Sequence, residues 1–230
     1  MIMQYLGHSA FRLVTDQGIR ILIDPYLDKN PLATIKAKQL KAEYIIVTHA
    51  HGDHLGDTLS IADTQKTIII CVSELANIIS KKGYKVHAMQ IGGAFQFEFG
   101  RVKLVQALHG SVTPDGNYGG LAAGIVLTIN GTSIYHCGDT GLFGDMQLIG
   151  QLNKIHYLLI PIGGNYTMDI EDAAYAVGLI KPMLSIPMHY NTFPVIRVNP
   201  MDFVDKLETM GYEGKVMAIG EEMELGKNSK

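Results

Sequence analysis

Apolar residues recur along this chain at two spacings, and each spacing predicts a different kind of element. Alternation or a short continuous apolar run predicts a strand, whereas recurrence every three or four residues predicts a helix with one buried face. The predicted strands cover residues 2–6, 10–15, 19–24, 44–48, 67–72, 85–88, 94–98, 101–108, 121–129, 132–137, 156–160, 183–187 and 215–218. The predicted helices cover residues 31–40, 145–153, 169–180 and 200–210, and another is predicted to run to about residue 82 with Ser73 as its capping residue. Early hairpins followed by alternating strands and helices predict sheets with helices on their outer faces.

Three of the predicted strands end just before a side chain that can bind a metal ion or carry a proton. The three side chains are His49, Asp139 and His189. Functional side chains are often carried on loops that a buried strand holds in place. This arrangement predicts a functional site at the carboxyl ends of the strands.

Composition and charge exclude several classes of protein. Hydrophobic residues make up 47% of the chain and charged residues 18%, which is typical of a folded domain and not of a disordered chain. The net charge of −3 argues against a nucleic-acid-binding protein, since such binding needs clustered positive charge. The longest aliphatic runs are of strand length, too short for the roughly 20 apolar residues of a membrane span.

The sequence contains neither an evident linker nor an evident export signal. No stretch is rich in Pro, Gly and Ser together, so residues 1–230 are predicted to form one domain. The first residues lack the basic and apolar segments of a signal peptide. Two isolated cysteines, Cys71 and Cys137, do not indicate a disulfide framework. We therefore expect a cytoplasmic protein with reduced thiols, and we expect Cys137 to be buried and inert.

The segment 48–54, Thr-His-Ala-His-Gly-Asp-His, carries the strongest chemical signal in the sequence. Its donors are His49, His51, Asp53 and His54. Imidazole nitrogens and carboxylate oxygens are ligands that suit zinc, manganese and iron. Four donors in six residues exceed what one open catalytic site uses, and this excess predicts two adjacent ions. The alternative is a solvated histidine-rich loop.

The pattern His-x-His-x-Asp-His resembles the signature of the metallo-β-lactamase superfamily. Further matches follow in the family's order over essentially the whole chain: Asp24 in Ile-Asp-Pro, His109 in Leu-His-Gly, Asp139 in Gly-Asp-Thr and His189 in Met-His-Tyr. The segments 7–11, 163–168 and 189–194 are similar to the branch of small metal-dependent hydrolases that resembles the ascorbate-6-phosphate lactonase group. The resemblance implies an α+β fold, a four-layer αββα sandwich with two sheets face to face and helices outside.

The resemblance also implies how two divalent transition-metal ions, zinc or manganese, would be held. The implied ligands of the first ion are His49, His51 and His109, those of the second are Asp53, His54 and His189, and Asp139 bridges the two. Paired catalytic ions typically lie about 3.5–4 Å apart. Asp24 is expected to orient the ligand loop, because ligating histidines usually need a partner for their second ring nitrogen.

Three residues of the branch motifs are expected to serve the substrate: His8, Asn165 and Tyr190. His8 lies at a break between two predicted strands, so we expect it in a hairpin turn. The ligand set is complete without it, and its imidazole could hold an anionic group or donate a proton to a leaving oxygen. Catalytic roles are therefore predicted for Asp53 and His8. The alternative for His8 is an ordinary surface or turn histidine.

Together these expectations describe a hydrolase in which a metal-bound hydroxide attacks an ester, a lactone or a phosphodiester of a small substrate. Two alternatives stay open, a non-catalytic metal-binding module on the same fold and a thioesterase of the glyoxalase type. The expected partner is a small-molecule substrate, with neither a membrane nor a nucleic acid. A homo-oligomer is compatible with the sequence.

Overall fold

Runs of aliphatic side chains build two β-sheets in this protein. In the computed structural model, which describes residues 1–226, each sheet belongs to its own compact unit. Unit 1 comprises residues 1–93, 110–122 and the described residues from 218 onward, and unit 2 comprises residues 94–109 and 123–217. Residues 227–230, which the predicted single domain includes, lie outside the described residues. The single domain stays a prediction.

Unit 1 holds a mixed sheet whose parallel half is mostly aliphatic. Its strands are β1 (Ile2–Gly7), β2 (Ala10–Val14), β3 (Arg20–Ile23), β4 (Tyr44–Ile46), β5 (Ile68–Val72), β6 (Lys85–Met89) and β13 (Glu222–Glu224). Their order in the sheet is β13-β1-β2-β3-β4-β5-β6. The pairs from β13 to β3 are antiparallel, and the pairs from β3 to β6 are parallel. Every residue of β4 is buried, as continuous aliphatic sequence in a parallel strand predicts.

Three short helices belong to unit 1. They are α1 (Gly52–Leu55), α2 (Thr58–Ile61) and α3 (Ser73–Ser80). The helix α3 packs against β5 and β6, and it buries Leu75, Ala76 and Ile79. These three side chains recur at helical spacing, which gives α3 one apolar face.

Unit 2 holds the second mixed sheet and three helices. Its strands are β7 (Ala94–Phe97), β8 (Gly100–Gln106), β9 (Ala123–Ile129), β10 (Thr132–His136), β11 (Tyr157–Pro161) and β12 (Leu184–Met188), and its helices are α4 (Met146–Leu152), α5 (Ile170–Ile180) and α6 (Pro200–Thr209). The sheet order is β12-β11-β10-β9-β8-β7, antiparallel from β7 to β10 and parallel from β10 to β12. The helix α5 packs against α4 and α6. The predicted hairpin turn at Asn130 and Gly131 is confirmed between β9 and β10.

Parallel pairing fixes where the loops of each sheet emerge. In unit 1, the neighbouring strands β3 and β4 lead into Asp24 and His49. In unit 2, β10 and β12 both run parallel to β11, and they lead into Asp139 and His189. The carboxyl ends of parallel strands lie at one edge of a sheet, which is a common place for functional side chains. The predicted position of these residues after strands is confirmed.

Two predicted elements are wrong, one because nearby side chains bind the backbone and the other because the segment that pairs at the sheet edge lies further along the chain. The helix predicted over residues 31–40 is only a 3₁₀ turn at Ala37–Gln39, because the side chains of Asn30 and Asp28 accept hydrogen bonds from backbone amides that a helix would use. The strand predicted over residues 215–218 is irregular. The last described strand is instead β13, a short polar segment that pairs with β1 at the edge of the sheet.

Among residues 1–226, no helix has both the length and the apolar character that crossing a membrane requires. The longest helix, α5, has 11 residues.

Gly150 gives a direct test of the packing in unit 2. A Cβ atom at this position in α4 would lie 2.2 Å from the carbonyl oxygen of Ile180. We expect Gly150→Ala to destabilise the protein by about 1–3 kcal/mol, which outweighs the gain of roughly 1 kcal/mol in helix propensity. Urea unfolding measures the change. Gly144→Ala is the matched control, because a Cβ there meets no atom within 4 Å. Equal unfolding midpoints for the two variants would contradict this account.

Candidate metal centre

The His-x-His-x-Asp-His segment forms a loop that turns directly into α1. The backbone carbonyl of His51 accepts hydrogen bonds from the amides of His54 and Leu55, so this ligand-type residue also begins the helix. His49 and His54 are fully buried, whereas His51 and Asp53 are partly exposed. The donor set of unit 1 therefore combines two buried donors with two that solvent can reach.

The donor atoms of this loop converge at short distances. His49 Nε2 lies 3.0 Å from His51 Nδ1. His54 Nε2 lies 4.0 Å from Asp53 Oδ2. Two donors bonded to one ion at about 2.0–2.2 Å lie at most about 4.4 Å apart. Both distances fall within that limit, and nitrogen and carboxylate oxygen are the donors that zinc and manganese accept. The residues of unit 1 therefore fit a metal-binding role.

His8 lies in the turn between β1 and β2, as the sequence predicts, but it is not at the surface. Its side chain is fully buried, and its φ of 55° is in the left-handed region. Its Nε2 atom lies 3.1 Å from Asp53 Oδ2. One ligand-type atom from each of His8, Asp53 and His54 lies within 4.8 Å of the others. The alternative of a surface histidine is wrong.

Asp24 is a fully buried carboxylate that contacts the ligand loop at three points. Its Oδ1 atom accepts a hydrogen bond from the Thr48 amide at 2.8 Å. Its Oδ2 atom accepts one from the Thr48 hydroxyl at 2.6 Å and lies 2.7 Å from His54 Nδ1. A carboxylate in this position can orient the loop, as the sequence predicts for Asp24.

Unit 2 carries a second cluster, built from His109, Asp139 and His189. Asp139 Oδ2 lies 3.1 Å from His189 Nε2 and 3.6 Å from His109 Nε2. Asp139 and His189 are buried, and His109 is partly exposed. One carboxylate oxygen thus faces two imidazoles, at distances that fit donors of a metal site.

Backbone hydrogen bonds tie together the loops that carry this second cluster. The amide of Leu108 donates to the Thr140 hydroxyl, and the amide of Gly141 donates to the Leu108 carbonyl. The loop after β11 is attached in the same way, because the amide of Met168 donates to the carbonyl of Thr140. Three loops of unit 2 therefore meet beside Asp139.

The predicted substrate-binding residues Asn165 and Tyr190 lie on these loops of unit 2. Asn165 is exposed and lies in the loop after β11, whereas Tyr190 is half-buried and follows His189 directly. Burial raises the pKa of the Tyr190 phenol. His189 has a φ of 55°, and a Cβ atom at Gly163 would lie 2.3 Å from its carbonyl oxygen. Contact of Asn165 and Tyr190 with substrate stays a prediction.

Two polar residues near the ligand loop were missed by the sequence analysis. Thr48 lies between Asp24 and His49, and its hydroxyl contacts both side chains. Asp57 accepts hydrogen bonds from the amides of Leu27 and Asp28, and it thereby fastens the loop after β3. Nothing in the sequence distinguishes Thr48 except its place in the motif. Asp57 could have been found, because an aspartate just before a helix is a recognised helix-start signal.

The two thiols are buried, as predicted for Cys137. Burial raises the pKa of Cys71 to about 12, and burial also raises the pKa of Cys137. His136, next to Cys137, uses its Nδ1 atom to accept a hydrogen bond from the amide of Gly138.

Comparison with known proteins gives the family. A family described as "Beta-lactamase superfamily domain" matches residues 19–190, which is more than half of the chain. The chain belongs to the metallo-β-lactamase superfamily. The motif-based family and the two-sheet fold of this superfamily are therefore confirmed.

Relatives of similar length match this superfamily member over nearly its whole length. A UPF0173 metal-dependent hydrolase of Bacillus velezensis is 48% identical over 230 residues, covering 98% of this chain and all of the relative. Another, of Carboxydothermus hydrogenoformans, is 46% identical, covering 96% of this chain and 98% of the relative. These relatives confirm the predicted enzyme class, a metal-dependent hydrolase.

Solved structures agree with the fold. Igni18, a metallo hydrolase from Ignicoccus hospitalis, is 38% identical with a TM-score of 0.88, covering 98% of this chain and 99% of that one. An isothiocyanate hydrolase from gut bacteria of Delia radicum has a TM-score of 0.77 at 19% identity, covering 98% and 99% of the two chains. The second likeness concerns the fold alone.

The buried thiols lead to a prediction about reactivity. The thiolate is the reactive form, and burial disfavours it for both Cys71 and Cys137. We expect Ellman's reagent in mildly alkaline buffer to label neither thiol in the folded protein. Both of the free cysteines should react after unfolding in guanidinium. A thiol of the folded protein that reacts as fast as in the unfolded chain would contradict the described burial.

Proposed function

We propose that this chain is a dinuclear metal-dependent hydrolase that cleaves an ester, a lactone or a phosphodiester of a small molecule. The observation that carries the proposal is the convergence of imidazole and carboxylate donors in each unit. Asp53 Oδ2 has two imidazoles within 4.0 Å, and Asp139 Oδ2 has two within 3.6 Å. Burying ionisable groups together is costly unless they pair or bind metal.

The proposed ligand sets follow the family's motif. By that motif, one ion would be held by His49, His51 and His109, the other by Asp53, His54 and His189, and Asp139 would bridge them. The nitrogen and oxygen donors suit zinc and manganese. When bound, two such ions lower the pKa of a shared water and polarise the oxygen atoms of an electrophilic carbonyl or phosphoryl centre.

The chain's own residues orient these donors and leave one side accessible to a substrate. His8 lies against Asp53 and restrains its carboxylate, and Asp24 does the same for the His54 ring. His51 and Asp53 are the partly exposed donors of unit 1, so we propose that the substrate approaches from their side. Asn165 and Tyr190 are proposed to contact it.

The proposal includes a cytoplasmic location and a small-molecule partner. Both cysteines are free and buried, and this state suits a reducing compartment. The net charge of −3 disfavours a nucleic acid as substrate.

Metal content and a substrate panel test the proposal. We expect elemental analysis to find two transition-metal ions per chain, and we expect turnover of a phosphodiester, an ester or a lactone that a strong chelator abolishes. Bound metal without any turnover would support a non-catalytic module. Preferential cleavage of a thioester would instead support the glyoxalase-type alternative. Absence of metal after reconstitution with zinc and with manganese would overturn the proposal.

The bridging role of Asp139 predicts a ranked loss of metal affinity. Asp139→Asn should weaken metal binding more than Asp24→Asn does, because a bridging carboxylate offsets the repulsion between two cations. Loss of a group that only orients a ligand typically costs about 10–100-fold in metal affinity. Competitive chelator titration measures both variants, with Asp172→Asn, at an exposed position of α5, as the control. Equal losses would show that Asp139 is not a bridge.

His8 is proposed to serve the reaction without being a primary ligand. His8→Ala should retain both ions while turnover falls by roughly 10²–10⁴-fold, the range for loss of general acid–base assistance. His8→Gln, which keeps a polar group facing Asp53, distinguishes lost proton handling from lost packing. His87→Ala, in β6, is the control histidine variant. Parallel loss of metal would make His8 a ligand, and unchanged turnover would make it a structural turn residue.

A further inference from the structure

Four buried groups of unit 1 form one continuous chain of polar contacts. His54 Nδ1 lies 2.7 Å from Asp24 Oδ2. The Thr48 hydroxyl lies 2.6 Å from the same oxygen and 3.0 Å from His49 Nδ1. All four side chains are fully buried. One carboxylate oxygen is therefore linked to two histidines, directly to one and through a hydroxyl to the other.

The donor and acceptor roles in this series of four contacting groups follow from counting hydrogens. A carboxylate only accepts, and a threonine hydroxyl has one hydrogen to donate. The short contact to Asp24 takes that hydrogen, as expected for a bond to a charged acceptor. Toward His49 the hydroxyl can then only accept, so Nδ1 of His49 must carry a hydrogen. Nδ1 of His54 carries one for the same reason, because it faces the carboxylate directly.

This assignment determines which ring nitrogen can bind a metal ion. A neutral imidazole with its hydrogen on Nδ1 has its lone pair on Nε2. His49 Nε2 and His54 Nε2 are the atoms that lie near the other donors, His51 and Asp53. The same carboxylate thus prepares both histidines in the tautomer that a metal site needs.

We infer that Thr48 is a positioning residue that transmits the orientation set by Asp24 to His49. This inference rests on the proposed function, in which His49 and His54 bind different ions. The buried carboxylate of Asp24 then orients one ligand of each ion, His49 and His54. Thr48 orients only His49, the ligand of the first ion. Loss of the Thr48 hydroxyl affects one ion, whereas a change at Asp24 affects both.

The backbone contact of Thr48 makes a selective variant possible. Its amide donates separately to Asp24 Oδ1 at 2.8 Å, so the loop stays tethered when the hydroxyl is removed. Thr48→Val keeps the shape of the side chain and removes only the hydroxyl, and Thr48→Ser restores it. Asp24→Asn replaces one carboxylate oxygen with an amide nitrogen that donates instead of accepting. Placed at the Oδ2 position, this nitrogen removes the acceptor that faces both His54 Nδ1 and the Thr48 hydroxyl.

The first measurement is stepwise chelator titration of the zinc-loaded protein. We expect Thr48→Val to lower the affinity for one of the two zinc ions by about 10–100-fold and to leave the affinity for the other unchanged. Thr48→Ser should bind both ions as the unsubstituted protein does, and Asp24→Asn should weaken both. Thr58→Val is the matched control, since Thr58 is also fully buried and its hydroxyl has no hydrogen-bond partner among the described residues. Equal weakening of both ions by Thr48→Val, or no more weakening than Thr58→Val causes, would overturn the inference.

The second measurement needs no bound ion. Two-bond ¹H–¹⁵N correlation spectra of the metal-free protein distinguish a hydrogen on Nδ1 from one on Nε2. We expect the Nδ1–H form for His49 and His54 in the unsubstituted protein. Thr48→Val should change the form of His49 alone. Failure of zinc binding together with the expected tautomers would refute the dinuclear function and still support the positioning role of Thr48. An Nε2–H form of His49 in the unsubstituted protein would refute that positioning role.

Discussion

Asp24 is a carboxylate without solvent access, and the requirement to surround it with donors shapes the ligand loop. Leaving a buried polar group without partners costs roughly 1–3 kcal/mol, and more for a charged one. Asp24 obtains its partners from Thr48, at the start of the loop, and from His54, in α1. The loop can satisfy both only by turning sharply between them. Aspartate also tolerates the left-handed φ of 44° that aims its carboxylate at this loop.

Unit 2 holds its donor-bearing loops in place with a different set of contacts. Asp139 follows a strand that is parallel to its neighbour, and its carboxylate faces His189 at 3.1 Å. Here the backbone carbonyl and the side-chain hydroxyl of Thr140 accept hydrogen bonds from the amides of two neighbouring loops. In both units a rigid parallel strand supplies the position and a short loop supplies the direction of the side chain.

Local patterns predicted the strands, the motif loop and the turn at His8, because each depends on residues close together in the sequence. The sequence could not predict that His8 is buried, since its contact with Asp53 spans 45 positions. The same holds for Thr48, whose partner Asp24 is 24 positions away. The short strand β13 also has no local signal, because its polar sequence becomes a strand only by pairing with β1.

The close approach of Gly163 to the carbonyl of His189 has an evolutionary consequence. A side chain at position 163 would displace the backbone that carries His189, so this position admits only glycine without a shift of the donor. Asn165 and Tyr166, two and three residues further on, are exposed. Mutations can therefore accumulate at the outer part of this loop while Gly163 is held fixed. Substrate preference could diversify among descendants of such a protein without disturbance of the donors inherited from their common ancestor.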